Sequence, residues 1–291
     1  MPIRNNLAPS AEQSIWFENS EPRSEPRREQ VVSHLIRFDS LFHHDSWSSD
    51  VFVFFHNGVR HELLDLHKML KLTAHDDGRI RIKHLLALEK WFVQFSQMVA
   101  MYFVVNDNVI YPTLVTFQSN LRATLTKRGK RHVGIINHLL EIHSECLTLT
   151  MIGAHRSSAK RALSCPGMGE SVSRMIRLLH GLVSSVEQIF EWEFTVLVPV
   201  VKERMLLWEA RELIKKCLDE MSSCEVGREV MWGYFRGVPT DYKEKYFAAM
   251  ERLTRMKLRA KEKRWLREHQ GFSNKLSSLQ SRRIGGVKEM K

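Results

Sequence analysis

The chain has 291 residues, 43% of them hydrophobic, with 44 Lys/Arg against 33 Asp/Glu and a formal net charge of +11. That composition suits a globular chain with one large domain and extensions, and no window approaches the ~18 consecutive apolar residues of a membrane span. The start, MPIRNNLAPSAEQ, lacks the apolar centre of a secretory signal, which points to an intracellular protein, cytoplasmic or nuclear. The four cysteines, Cys146, Cys165, Cys217 and Cys224, make no CxxC pair and read as buried reduced thiols. The charge is uneven. Residues 252–291 hold 13 Lys/Arg against 3 Asp/Glu, so nearly all of the excess sits at the C-terminal end.

In chain order, residues 1–30 are polar and broken by Pro9, Pro22 and Pro26, too poor in apolar surface to order themselves. Residues 31–42 read as a short lead-in. Over residues 50–72, Phe52, His56, Val59, Leu63, Leu66 and Leu70 recur at steps of three and four, the mark of an amphipathic helix. Ser49 or Asp50 can cap it, and AHDDGR after it is a turn. His56 stands where a core leucine is expected. A second helix is predicted over 82–109, with Leu85, Leu88, Phe92, Phe95, Val99, Tyr102, Asn106 and Val109 on one face, and Pro112 as its stop or kink. A third, over 127–151, carries His132, Ile135, Ile136, Leu139, Leu140, His143 and Leu147 as its stripe. Residues 153–169 read as a long loop. The fourth spans 171–199, and Glu193 interrupts a face of Met175, Leu178, Leu179, Leu182, Val186, Ile189, Val196 and Leu197. Pro199 is expected to kink it, with 200–221 as a continuation. A short helix follows at 225–235. A long one at 240–269 carries Tyr246, Phe247, Met250, Leu253 and Met256 on one side, and 271–291 is polar and basic. No strand pattern occurs.

The implied fold is all-α: an up-down four-helix bundle over 31–221 with a C-terminal helical extension at 222–270. Bundles of this kind build metal sites from facing side chains in the core. The polar intruders here are His56, His132 and Glu193, from three different helices, while the second helix offers Tyr102 and Asn106 one turn apart.

On these residues the chain resembles the hemerythrin-like family, the HHE-type cation-binding bundle. FFHNGVRHELLDL matches the family's first helix, with His56 as its lone histidine. The second-helix frame H-H-x-x-E-D-x-x-L-F-P appears as YFVVNDNVIYP, keeping the Asp and the aromatic-Pro ending but placing Tyr102 for a histidine and Asn106 for a bridging glutamate. HVGIINHLLEI places His132 in the third-helix frame. The fourth frame, H-L-x-x-E-E-x-x-L-L-P, appears as IFEWEFTVLVP, keeping Glu193 and placing Ile189 for the histidine. The match spans about residues 49–201, and GREVMWGYFRGVPTDYKEKYFAAM resembles tail helices that follow the bundle in eukaryotic members.

The resemblance implies a di-iron carboxylate site, which needs five or six N/O donors. Only His56, His132 and Glu193 survive of six positions. The expectation is therefore a non-enzymatic scaffold or sensor with a protein partner and no cofactor. The alternative is a metal-binding sensor holding a single iron or other divalent ion on that trio. Without metal, Glu193 should hydrogen-bond with His56, His132 or Tyr102, and an ionised Glu193 would raise the pKa of a neighbouring histidine. His61 and His67 fall off the stripe and are expected in solvent, and His143 is expected to pack. The extension offers Arg259, Lys261, Lys263, Arg264 and Trp265 as a possible contact for an anionic partner, against the plainer reading of a helix packing one edge on the bundle.

Overall fold

The computed structural model describes residues 47–74, 82–158, 168–248 and 252–272. The arm expected at 1–30, the lead-in at 31–42, the turn after Ala74, most of the 153–169 loop and the tail beyond 272 lie outside the described residues. Helix α1 is Asp50–Ala74. Helix α2 runs Ile82–Val105, passes through a π-helical turn at Asn106–Ile110 and continues as Tyr111–Phe117. Helix α3 is Leu121–Ser158. Helix α4 runs Met168–Trp192, passes through a second π turn at Glu193–Leu197 and ends as Val198–Arg204. Helices α5 (Leu207–Ser223), α6 (Glu225–Tyr234), α7 (Thr240–Ala248) and α8 (Arg252–Trp265) follow, the last extended by a third π turn at Leu266–Gln270. The described residues contain no strand, so the fold is all-α.

The prolines do not stop their helices: each falls within a helix that continues past it. Each sits two residues past the end of a π turn. Tyr111 N–H reaches back five residues to Asn106 O, and Val198 N–H reaches back to Glu193 O. Pro112 and Pro199 come next and have no N–H to place. The wider turn absorbs the missing donor, and the chain stays helical. The real break in this region is at Met205 and Leu206, both extended, which separates α4 from α5.

Helix α3 packs against α2 and α4, and α1 packs against α4, α2 and α6. Helix α1 is thus enclosed. Every residue from Val51 to Arg60 is buried, and Lys68 is the first exposed one. The amphipathic pattern predicted a solvated face here. That face is instead covered by α6, whose Tyr234 approaches so closely that a Cβ on Gly58 would lie 2.7 Å from the Tyr234 Cα. His67, about 180° round from Gly58 and beside His180 of α4, is also buried rather than solvated, and burial, with Lys71 and His180 adding to it, holds its pKa down at about 4. His61 is half-buried.

Helix α3 also differs from expectation. Its inward row is Ile135, Leu139, Ile142, Cys146 and Leu149, whereas Ile136, Leu140 and Leu147 face out. His143 is half-buried and stacks near Phe92, at 6.1 Å between ring centroids. By length and composition α2 with its continuation is apolar enough to cross a membrane, but 56% of that window is buried against its neighbours. Cys146 and Cys217 are buried thiols, and burial pushes Cys146 up to about 12, while Cys224 is exposed.

Candidate functional site

Glu193 opens the π turn of α4 with its side chain fully buried. Asn106 opens the π turn of α2, also at 0% exposure. In a regular helix, position i+5 lies about 140° round from i. A π turn brings it back beneath i, and so Tyr111 points the same way as Asn106. The two turns face each other, and α1 supplies His56 between them.

The result is one carboxylate surrounded by donors. Glu193 Oε2 accepts from His56 Nε2 at 2.5 Å and from the Tyr102 hydroxyl. Glu193 Oε1 accepts from the Tyr111 hydroxyl at 2.9 Å and from Asn106 Nδ2 at 3.3 Å. An ionised carboxylate is acceptor-only with room for about four such bonds. The ring of His56 stacks on Phe190, with centroids 3.8 Å apart. Its Nδ1 is buried and has no hydrogen-bond partner among the described residues, and the same holds for Asn106 Oδ1. Burial pushes the His56 pKa below its ordinary value, against the opposing pull of Glu193. The expected upward shift beside Glu193 is therefore reversed: desolvation of the charged ring outweighs its one carboxylate contact. A neutral ring with its proton on Nε2 fits both the Glu193 bond and the bare Nδ1.

His56 and Glu193 are brought together as the pattern predicted, with Tyr102 and Asn106 as hydrogen donors to the carboxylate. His132 stacks on Phe103 instead, at 4.1 Å and 22°. Ile189 is buried in an apolar wall with Val59, Val99, Ile135, Val186 and Phe190 around a void of about 10 Å³. Among the described residues no group of three or more His, Cys, Asp or Glu side chains is placed to hold a metal ion. Tyr111 is the member that sequence reasoning missed. Its only signal is its place in the aromatic-Pro ending of the second-helix frame.

A second buried polar centre was not foreseen. Glu62 on α1 is fully buried, and its Oε2 meets His269 Nε2 at 2.6 Å. His269, in the π turn after α8, places its Nδ1 2.9 Å from Gln94 Oε1 and lies against Trp265 and Trp91. Arg236 donates to Glu62 Oε1 at 2.6 Å and lies 3.0 Å from Asp65 Oδ2. Burial would raise the Glu62 pKa, yet His269 and Arg236 together hold it below its ordinary value. All three π turns among the described residues thus serve the two buried polar centres. The sequence around Leu266–Gln270 contains no proline to explain the third.

This centre settles where the basic extension goes. Trp265 is turned inward, 4% exposed, and Leu258 is fully buried. Arg259 pairs with Glu244 and Glu262, Lys261 with Glu229 and Glu225, and Arg264 with Glu268. Of the five residues suggested as an anion contact, Lys263 is exposed and has no ion pair among the described residues. The extension packs on the helices through its own apolar edge.

No protein-family model, curated protein or solved structure matches the chain.

Proposed function

We propose that α1–α4 form a divergent hemerythrin-like up-down bundle whose di-iron centre has been replaced by a buried hydrogen-bond network, and that the protein acts as a non-enzymatic scaffold or sensor for a protein partner. The observation that carries this reading is the occupancy of Glu193. Both oxygens of this fully buried carboxylate are taken by donors from His56, Tyr102, Tyr111 and Asn106.

The residues present do not fit a pair of metal ions. A dinuclear centre needs lone pairs from five or six N/O groups, with carboxylates to bridge the ions. Towards Glu193 the amide and two phenols present hydrogens; the lone pairs left bare are those of His56 Nδ1 and Asn106 Oδ1, two where a dinuclear centre needs five or six groups. The position that the family fills with a fourth-helix histidine is Ile189, packed among apolar side chains. The arrangement does what a buried polar cluster does best. It satisfies every strong donor locally and fixes the mutual register of α1, α2 and α4.

Elemental analysis tests the proposal. Protein from iron-supplemented culture, purified without chelator, is expected to carry far less than one iron per chain. One ion per chain supports a mononuclear sensor instead, and two would restore the family's ordinary chemistry.

A further inference from the structure

Helix α3 carries two apolar rows on different faces. The inward row is buried. The outward row is Val133, Ile136, Leu140, Leu147 and Met151, at 54, 44, 61, 42 and 63% exposure. At 3.6 residues per turn these five fall within an arc of about 60°, and the inward row is centred about 135° round the helix from it. The spacings of three, four and seven are those of a coiled-coil seam, narrower than the face a globular helix needs for its own core. From Val133 to Met151 the seam is about 27 Å long.

We propose that this face of α3 is an interface between two copies of the chain, paired antiparallel across α3. A two-fold interface must match itself. This row does so about its midpoint, near residue 142. Val133 then faces the partner's Met151, Ile136 faces the partner's Leu147, and Leu140 lies beside the axis. The seam is bordered by the uncharged Asn137, Ser144 and Thr148 on one side, with exposed Glu141 the next residue round, and by half-buried His143 and Thr150 on the other. Glu145, further round, is held by Arg174 of the same chain. A two-fold contact sets each side chain close to its own counterpart, so a charged face would bring like charges together. A charge-free stripe is where a chain can meet itself. Five large exposed apolar residues on one helix exceed the scattered single ones that an ordinary surface carries.

The test is the mass of the full-length chain in solution, by sedimentation velocity over the micromolar range. A dimer is expected. Leu140→Glu and, separately, Met151→Glu are expected to weaken it by about tenfold or more, since each buries a charge in the seam. Both side chains are exposed in the single chain, so the variants keep wild-type helical circular dichroism. A monomeric wild-type chain would overturn the proposal and leave the row to another occupant, the first 46 residues or a different protein. A dimer indifferent to both substitutions would overturn it too.

Discussion

Helix α1 holds two buried polar centres six residues apart, and they are built on opposite plans. At His56 a single carboxylate, Glu193, gathers hydrogens from groups that carry no formal charge when His56 is neutral. At Glu62 two carboxylates face a guanidinium and an imidazole: Glu62 and Asp65 against Arg236 and His269. The first centre ties α1 to α2 and α4. The second ties α1 to the C-terminal helices. One therefore governs the bundle itself, and the other governs whether the extension stays docked.

If that division is right, removing the two centres has different consequences. Glu193→Ala strands four buried donors and is expected to cost about 3–5 kcal/mol of global stability in urea unfolding. Glu193→Gln, which keeps one acceptor oxygen, is expected to cost clearly less. His269→Ala is expected to cost about 2–4 kcal/mol, because it leaves Glu62 buried with Arg236 as its main partner. Its damage should be local: hydrogen exchange should accelerate in α6 and α8 while α3 and the core of α4 keep their protection. Uniform acceleration along the chain would erase the distinction between the two centres.

Acid separates them further. His56 has a folded pKa below its ordinary 6.5, so the unfolded chain takes up that proton first and stability begins to fall as pH drops below about 6.5. Buried His67 acts with the same sign, down to about 4. Glu62 is held below its ordinary 4.5, so its contribution is complete above that value and is lost as pH falls through the lowered one. Unfolding midpoints recorded from pH 7.5 to 3 should decline in two stages, and in Glu62→Gln the lower stage should flatten. A midpoint constant down to pH 4 would contradict the first stage. The smallest expected effect is Tyr111→Phe, which removes one of four donors at constant shape and should cost about 1 kcal/mol.

The two centres also differ in how readable they are from the chain alone. His56 and Glu193 stand out because each interrupts an apolar row, and an interruption is visible wherever the row is regular. The family frames then supplied Tyr102, Asn106 and Ile189. Glu62, Asp65, Arg236 and His269 interrupt nothing. On α1 the acidic pair lies on what reads as the wet side of an amphipathic helix. Only α6 and α8 make it an interior, and His269 comes from 207 residues further along. Periodicity reports that a helix has an apolar side, not how many sides are covered. The same limit misplaced Ile136, Leu140 and Leu147 on α3, where two apolar rows compete and the pattern does not say which faces inward. The π turns were hidden for a related reason: Pro112 and Pro199 announce a missing donor, but not that the helix would widen by one residue rather than end.

On the proposed reading Glu193 is held by protein hydrogens in place of a metal ion. The most direct measurement is the thermal unfolding midpoint of the full-length protein, under anaerobic conditions, with and without excess Fe(II). An unchanged midpoint is predicted. A ligand at a hundredfold its dissociation constant stabilises a folded protein by about 2.7 kcal/mol, so a rise of several degrees that disappears in Glu193→Gln would contradict the account.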